Sequence, residues 1–386
     1  MRLRFHPSAG RTVGVEWELG LLDRATGDLV SVAEDLFELL SQEDARAGAR
    51  PGSRGSGVAK ELLLNTIELV TGICANAAEA GADLGQTLAR VRTQAEELGV
   101  DLFSAGSHPF AQWQSQLVSP GPRYETLIER TQWWGRQMMI FGVHVHVGLP
   151  SAAKVWPVIN GMLAYYPHLA ALSASSPFWG GVDTGYASNR AMLFQQLPTA
   201  GLPFQFTDWS SFEAYLDDVL ATGVIDDVSE MRWDLRPSPK LGTMETRICD
   251  GTASLTEVVA LAALTHCLVV HLEDQLDEGG LPATLPPWHV QENKWRAARY
   301  GLEAIVIRDT ANHEVLVTDD IMRLLDELTP VAARLGCRNE LALVEDIVRG
   351  GAGYQRQRAV AAAHDGDLRA VTASLVSELR NGPNWL

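Results

Sequence analysis

Three short segments of this 386-residue chain set acids, histidines or an arginine against apolar neighbours with a period of two, and a fourth carries two further acids. In Gly14-Val15-Glu16-Trp17-Glu18-Leu19-Gly20, a strand turns Val13, Val15, Trp17, Leu19 and Leu21 to one side and Glu16 and Glu18 to the other. Two carboxylates side by side repel, so they need solvent or cations, and oxygen ligands of this kind suit Mg²⁺ or Mn²⁺. In Phe141-Gly142-Val143-His144-Val145-His146-Val147-Gly148, the two histidines share a face with Gly142 and Gly148. The glycines leave room there for something to approach the backbone. In Gly242-Thr243-Met244-Glu245-Thr246-Arg247-Ile248-Cys249-Asp250, Glu245 and Arg247 share a face. A carboxylate can hold a metal while a guanidinium nearby grips the phosphate that the metal also touches. The fourth segment, Lys60 to Glu68, carries Glu61 and Glu68 seven residues apart. That spacing is one face of a helix but opposite faces of a flat strand, so from a sheet both reach one site only through a bulge or a loop starting at Glu61. Each segment alone has a plainer reading: a solvated strand face, histidines satisfied in a core, a local ion pair. Together they point to a curved sheet around a metal–phosphate site.

The elements that must position these residues are interspersed without a regular βα alternation. Strand patterns cover residues 11–23, 138–149, 229–236 and 242–249, and a short strand leads to Gly106. Helical patterns cover 32–42, 77–98, 123–136, 151–174 and 209–221, and from 254 the chain reads as mostly helical. Residues 43–59, rich in Gly, Arg and Ser, and the aromatic, Gly-rich 175–190 read as loops and as candidate lids. There is no repeat, no interdomain linker and no Gly-rich phosphate loop of the P-loop or dinucleotide type. The expectation is a single α+β domain over residues 1–386, on a largely antiparallel sheet.

Composition narrows the function. Hydrophobic residues make up 46% and charged residues 20%, which is globular, and the net charge of −17 disfavours a nucleic-acid partner. A nucleotide-binding site on so acidic a chain must concentrate its positive charge locally. The four cysteines form no CxxC pair and read as reduced thiols of a cytosolic protein. Residues 1–11 show no apolar signal region, and the apolar run Val258 to Leu272 is too short to span a bilayer and reads as a buried helix.

Taken in order, GVEWELGLLD, KELLLNTIELVTG, AGSHPFAQW, GVHVHVGLP, SPFWGGVDTGYASNR, LPTAGLP, WDLRPSP, GTMETRICDG and ENKWRAARYG resemble the type 2 glutamate–cysteine ligase family. Its members are carboxylate–amine ligases of the glutamine synthetase superfamily, and the resemblance runs from about residue 11 to 305. It implies a curved antiparallel sheet forming a funnel with helices packed outside, ATP at one end, amino-acid substrates at the other and divalent ions between. Carried over by residue, it implies one metal site of Glu18, Glu61 and Glu68 and a second of Glu16, His144 and Glu245. It also implies that His146 faces phosphate or substrate, that Arg247 contacts the transferred phosphate, and that Arg236 and Arg190 contact ATP or substrate. Many members carry a third acid in the first strand where this chain has Trp17, but the alternation turns that position to the apolar face. The implied reaction joins the γ-carboxylate of glutamate to the amine of cysteine, through an acyl phosphate and with Mg²⁺ or Mn²⁺, in a homodimer.

Other readings remain. An amidohydrolase-like metal hydrolase also uses an HxH strand, but early in a regular βα repeat that is absent here. A non-catalytic protein of the same fold would release no ADP from ATP with Mg²⁺, glutamate and cysteine. A ligase for another amine would be separated by a mass-spectrometric screen of amines.

Overall fold

Alternating valines and leucines fold Val13–Asp23 into the long central strand β1, with Trp17, Leu19 and Leu21 fully buried on its apolar face. The computed structural model describes residues 3–46 and 57–383. Six further strands join β1: β2 (Gly57–Lys60), β3 (Thr66–Val70), β4 (Val100–Phe103), β5 (Gly142–Gly148), β6 (Leu235–Ser238) and β7 (Thr243–Asp250). The sheet order is β6–β7–β5–β1–β3–β2, every pair is antiparallel, and β4 pairs with Gly20–Asp23 of β1. The architecture is α+β, as the interspersed pattern implied.

Helices cover the apolar face. In chain order they are α1 (Ala33–Arg46), α2 (Ala77–Glu97), α3 (Pro122–Arg136), α4 (Ala152–Met162), α5 (Tyr166–Ser173), α6 (Asn189–Phe194), α7 (Trp209–Ala221), α8 (Leu255–Asp277), α9 (Pro287–Tyr300), α10 (Val317–Leu335), α11 (Arg338–Gly350), α12 (Gly353–Ala363) and α13 (Leu368–Asn381). Helices α2 and α8 pack on each other and on β1, each started by a side chain that accepts a first-turn N–H, Asn76 for α2 and Ser254 for α8. Helix α8 is long and apolar enough to cross a membrane by length and composition, beyond the shorter run read from sequence, and 83% of its most apolar stretch is buried inside the fold. It is the central core helix, as the buried-helix expectation held.

Four expectations need correction. The helix expected over 151–174 breaks after Met162 and restarts at Tyr166, because Pro167 has no N–H to continue the ladder and suits a first turn. The strand expected over 229–236 is a turn at Val228–Glu230, a two-residue ladder at Arg232–Trp233, and β6, whose Pro237 is tolerated on an edge strand. The expected strand at 138–149 begins only at Gly142. From residue 254 the chain is mostly helical, as expected, with a small hairpin of Ile305–Ile307 against Glu314–Leu316. The expected loop 43–59 falls largely on residues 47–56, outside the described residues, and its described ends are not loop: 43–46 close α1 and 57–59 belong to β2.

Candidate active site

The sheet register lines up the polar residues across five strands. Glu18 on β1 lies opposite Glu68 on β3, and Glu16 lies opposite His144 on β5. His146 lies opposite Glu245 on β7, which lies opposite Arg236 on β6. Period-two alternation keeps all of these on the face away from the core, since their neighbours Val143, Val145, Val147 and Met244 are buried on the other side. Glu61 joins them from the loop that begins directly after β2, one of the two solutions its spacing allowed. Its own carboxylate caps the Leu62 N–H at 3.1 Å, and Ser119 Oγ donates to its carbonyl at 2.6 Å.

Among the described residues, three groups of candidate ligands result, each with its donor atoms within 4.8 Å of one another: Glu18 with Glu61 and Glu68, Glu16 with Glu68 and His144, and Glu16 with His146 and Glu245. The first matches the set carried over from the resemblance. The second carried-over set, Glu16, His144 and Glu245, is divided between the other two groups. The register explains this: β5 presents His144 to Glu16 and His146 to Glu245. His144 Nδ1 lies 3.1 Å from Glu16 Oε2, and His146 Nε2 lies 3.3 Å from Glu16 Oε1 and 3.9 Å from Glu245 Oε2.

The electrostatics of this row are those of a site built for cations. Burial pushes Glu18 up to about 8, with the Glu61 carboxylate adding to it. Burial also raises Glu61, and raises Glu68 well above the usual carboxylate range with help from Glu61, Glu16 and Glu18. For Glu16, burial acts upward, but hydrogen bonds from His144 and His146 outweigh it and hold the carboxyl low. Burial, with Arg247 nearby, lowers His144 to about 4, so its ring is neutral at pH 7. The Nε2 atom of His144 is buried and lacks a hydrogen-bond partner, and that of His146 has the Glu16 carboxylate beside it. Clustered carboxylates that resist ionisation, next to an orphaned imidazole nitrogen, fit hard divalent ions.

The arginines concentrate on one side of the row. Glu245, only 1% exposed, takes Arg236 through Nε at 2.6 Å and Nη2 at 3.1 Å, and Arg247 Nη1 at 2.5 Å. Burial pushes Glu245 up, but Arg236 and Arg247 outweigh it and hold it well below the usual range. Strand β7 carries a bulge between Thr246 and Cys249, so Ile248 and Cys249 both enter the core after Arg247. Arg190 reaches in from the start of α6 and donates to the Arg247 carbonyl at 3.3 Å. It occupies the space left by Gly142, where any side chain would collide with its guanidinium. That is the approach the glycine permits.

Two cavities flank the row. One, of about 140 Å³, is lined by Glu18, Glu61 and His144 together with Arg123, Arg190, Arg232, Arg236 and Arg247. The other, of about 260 Å³, is lined by Glu16, His146, Gly14, Thr71, Thr243 and the rim residues Ile73 and Leu241. Sequence reading missed Arg123 and Arg232, which stand in no recognisable motif. The only signal for them was the need of an acidic chain to gather positive charge where an anion binds. The loop 175–190 is tied down: Ser175, Ser176 and Ser188 bond to the buried Asp250, and Asp183 pairs with Arg358.

The family profile described as glutamate–cysteine ligase family 2 matches residues 12–374. The chain belongs to this family. A relative from Arthrobacter sp. (strain FB24), provisionally named glutamate–cysteine ligase 2-1, is 58% identical over 383 residues, covering 99% of this chain and 100% of that one. A relative from Mycobacterium tuberculosis (strain ATCC 25177 / H37Ra), provisionally named glutamate–cysteine ligase 2, is 57% identical over 378 residues, covering 98% and 97%. As a member of glutamate–cysteine ligase family 2 the protein is a carbon–nitrogen ligase that joins a carboxylate to an amine. Its fold is shared with glutamate–cysteine ligase from Francisella tularensis, solved in complex with AMP, at TM-score 0.69, 12% identity and coverage of 99% of this chain and 91% of that one. It is also shared with a bifunctional glutathione synthetase from Pasteurella multocida, at TM-score 0.65 and 14% identity, covering 95% of this chain and 52% of that one.

Proposed function

We propose that this family 2 ligase uses ATP to join the γ-carboxylate of glutamate to a primary amine, with cysteine as the reference acceptor. The observation that carries the reading is the row of carboxylates and histidines between an arginine-lined cavity and a second, arginine-free one among the described residues. The triphosphate enters the first, and the amine approaches from the second. Glu18, Glu61 and Glu68 would hold one Mg²⁺ or Mn²⁺, and Glu16 would hold another with His144 and Glu68 or with His146 and Glu245. When bound, such ions neutralise charge between phosphate and carboxylate oxygens that would otherwise repel.

The chain's own residues do the rest. Arg247 and Arg236 exchange the Glu245 carboxylate for phosphate oxygens, which frees Glu245 as a ligand, and Arg190 adds a third positive charge beside them. The substrate carboxylate attacks the γ-phosphorus, giving an acyl phosphate and ADP. The amine then attacks the acyl carbon; a C–N bond forms, the C–O bond to phosphate breaks, and phosphate leaves on the arginine side. The proton released by the amine passes to His146, which lines the second cavity and has Glu16 Oε1 3.3 Å from its Nε2.

The test is incubation with ATP, Mg²⁺, glutamate and a panel of amines, following ADP release and product mass. A new γ-glutamyl amide that disappears with EDTA supports the reading. Failure to release ADP with every amine in the panel would sink it.

A further inference from the structure

We propose that Asp234, Lys294 and Tyr166, none of which reaches the proposed site, form a buried cluster that positions Arg247. The proposal rests on the reading of Arg247 as a phosphate contact.

Lys294 on α9 is 1% exposed, and its Nζ lies 2.7 Å from Asp234 Oδ2. The hydroxyl of Tyr166, at the start of α5, lies 3.1 Å from the same oxygen. Asp234 stands between the ladder residue Trp233 and β6, with its N–H donating to the Gly201 carbonyl at 2.8 Å. Its carbonyl accepts the Arg247 N–H at 2.7 Å, where β7 bulges. Asp234 thus holds Arg247 from the β6 side of β7, while the bulge interrupts the ladder to β5 on the other side. Two residues before it is Arg232 and two after it is Arg236, and both line the arginine-rich cavity with Arg247. One anchored residue therefore sets the backbone from which three arginines project.

Stability alone does not account for a lysine here. Taking an ammonium and a carboxylate out of water is expensive, and an apolar pair of the same volume is often at least as stable. Such a pair offers a fixed geometry instead. A bulge residue has a broken ladder around it, and its direction is easily lost without a rigid partner. A guanidinium displaced by about 1 Å loses on the order of 10²-fold in rate.

The experiment uses three variants of the full-length protein. Lys294→Met leaves Asp234 buried without its cation, and is expected to lower both the melting temperature and turnover. The double variant Asp234→Asn/Lys294→Met removes both charges, and is expected to regain most of the melting temperature while kcat stays about 10- to 100-fold low. Tyr166→Phe removes one hydroxyl from the cluster, stays folded, and is expected to lower kcat about fivefold with KM for ATP little changed. Hydrogen exchange of the peptide spanning residues 243–250 gives a reading that needs no turnover: the Arg247 amide is expected to lose protection in the double variant well below its melting temperature. If the double variant recovers wild-type kcat with its stability, or keeps the Arg247 amide protected, the cluster is only structural. An active wild type with variants that turn over normally overturns this inference alone. A wild type that releases no ADP overturns the phosphate reading, and the exchange result still decides whether the cluster holds the bulge.

Discussion

Arg247 is held from three directions: its Nη1 by Glu245, its backbone N–H by Asp234, and its carbonyl by Arg190. Its guanidinium Nε is buried without a partner, so part of its binding capacity is unused. Arg247→Lys keeps the charge but loses the planar fork. Turnover is expected to fall on the order of 10² to 10³ with a smaller change in the KM for ATP and an unchanged melting temperature. Steady-state kinetics and thermal unfolding on one preparation decide it; a destabilised variant with full turnover would mean that Arg247 only holds the strand. The neighbouring carboxylates make a second prediction, about pH. Glu18 is pushed up from 4.5 to about 8, and Glu61 and Glu68 are raised as well. Groups raised in the folded state contribute stability that is full below the unfolded pKa and is lost as pH rises through the folded one. Burial lowers His144 and His108 from 6.5 to about 4 and also lowers His266, which works the other way, while His146, Asp250 and Glu378 are raised and side with the glutamates. The melting temperature of metal-free protein is therefore expected to fall on the order of 5 °C between about pH 5 and pH 8. Saturating Mg²⁺ flattens that slope, and so, in part, does Glu68→Gln. A melting temperature that rises over this range in EDTA would contradict the carboxylate cluster.

At the scale of elements, the site depends on how β5 and β7 are cut to admit side chains from elsewhere. Gly142 is where Arg190 from α6 crosses the strand, and Gly106 similarly makes way for the Asp250 carboxylate. Burial raises Asp250, and three serines of the loop 175–190 hydrogen-bond to its carboxylate, which also fixes the base of α6. Gly142→Ala is expected to push Arg190 aside while leaving the β5 ladder intact. The KM for ATP should rise about tenfold, the size of one charge-assisted contact, with only a small change in melting temperature. An unchanged KM for ATP would show that Arg190 does not serve the nucleotide.

At the scale of the whole molecule, a chain with a net charge of −17 gathers five arginines around one cavity. Several large apolar side chains remain exposed between Trp288 and Leu316, among them Trp295 and Ile305. Light scattering at micromolar concentration is expected to give twice the 42.0 kDa chain mass. A monomeric mass would end the dimer expectation. The sequence by itself determined the faces: period-two alternation is a local property of an extended chain, so Glu16, Glu18, His144, His146, Glu245 and Arg247 could be assigned to polar faces without knowing what lay across from them. It left Glu61 and Glu68 open between one face of a helix and a sheet with a bulge or loop at Glu61, and the fold took the loop. Tertiary structure decided the partners. Which histidine faces which glutamate is a matter of register between strands far apart in the chain, and a two-residue slip would put His146 opposite Glu16, so the second ligand set could not be read from spacing. The roles of Arg123, Arg232 and the Asp234–Lys294 pair were likewise invisible, because each depends on distances closed only when α3, α9 and the β6–β7 ladder pack together.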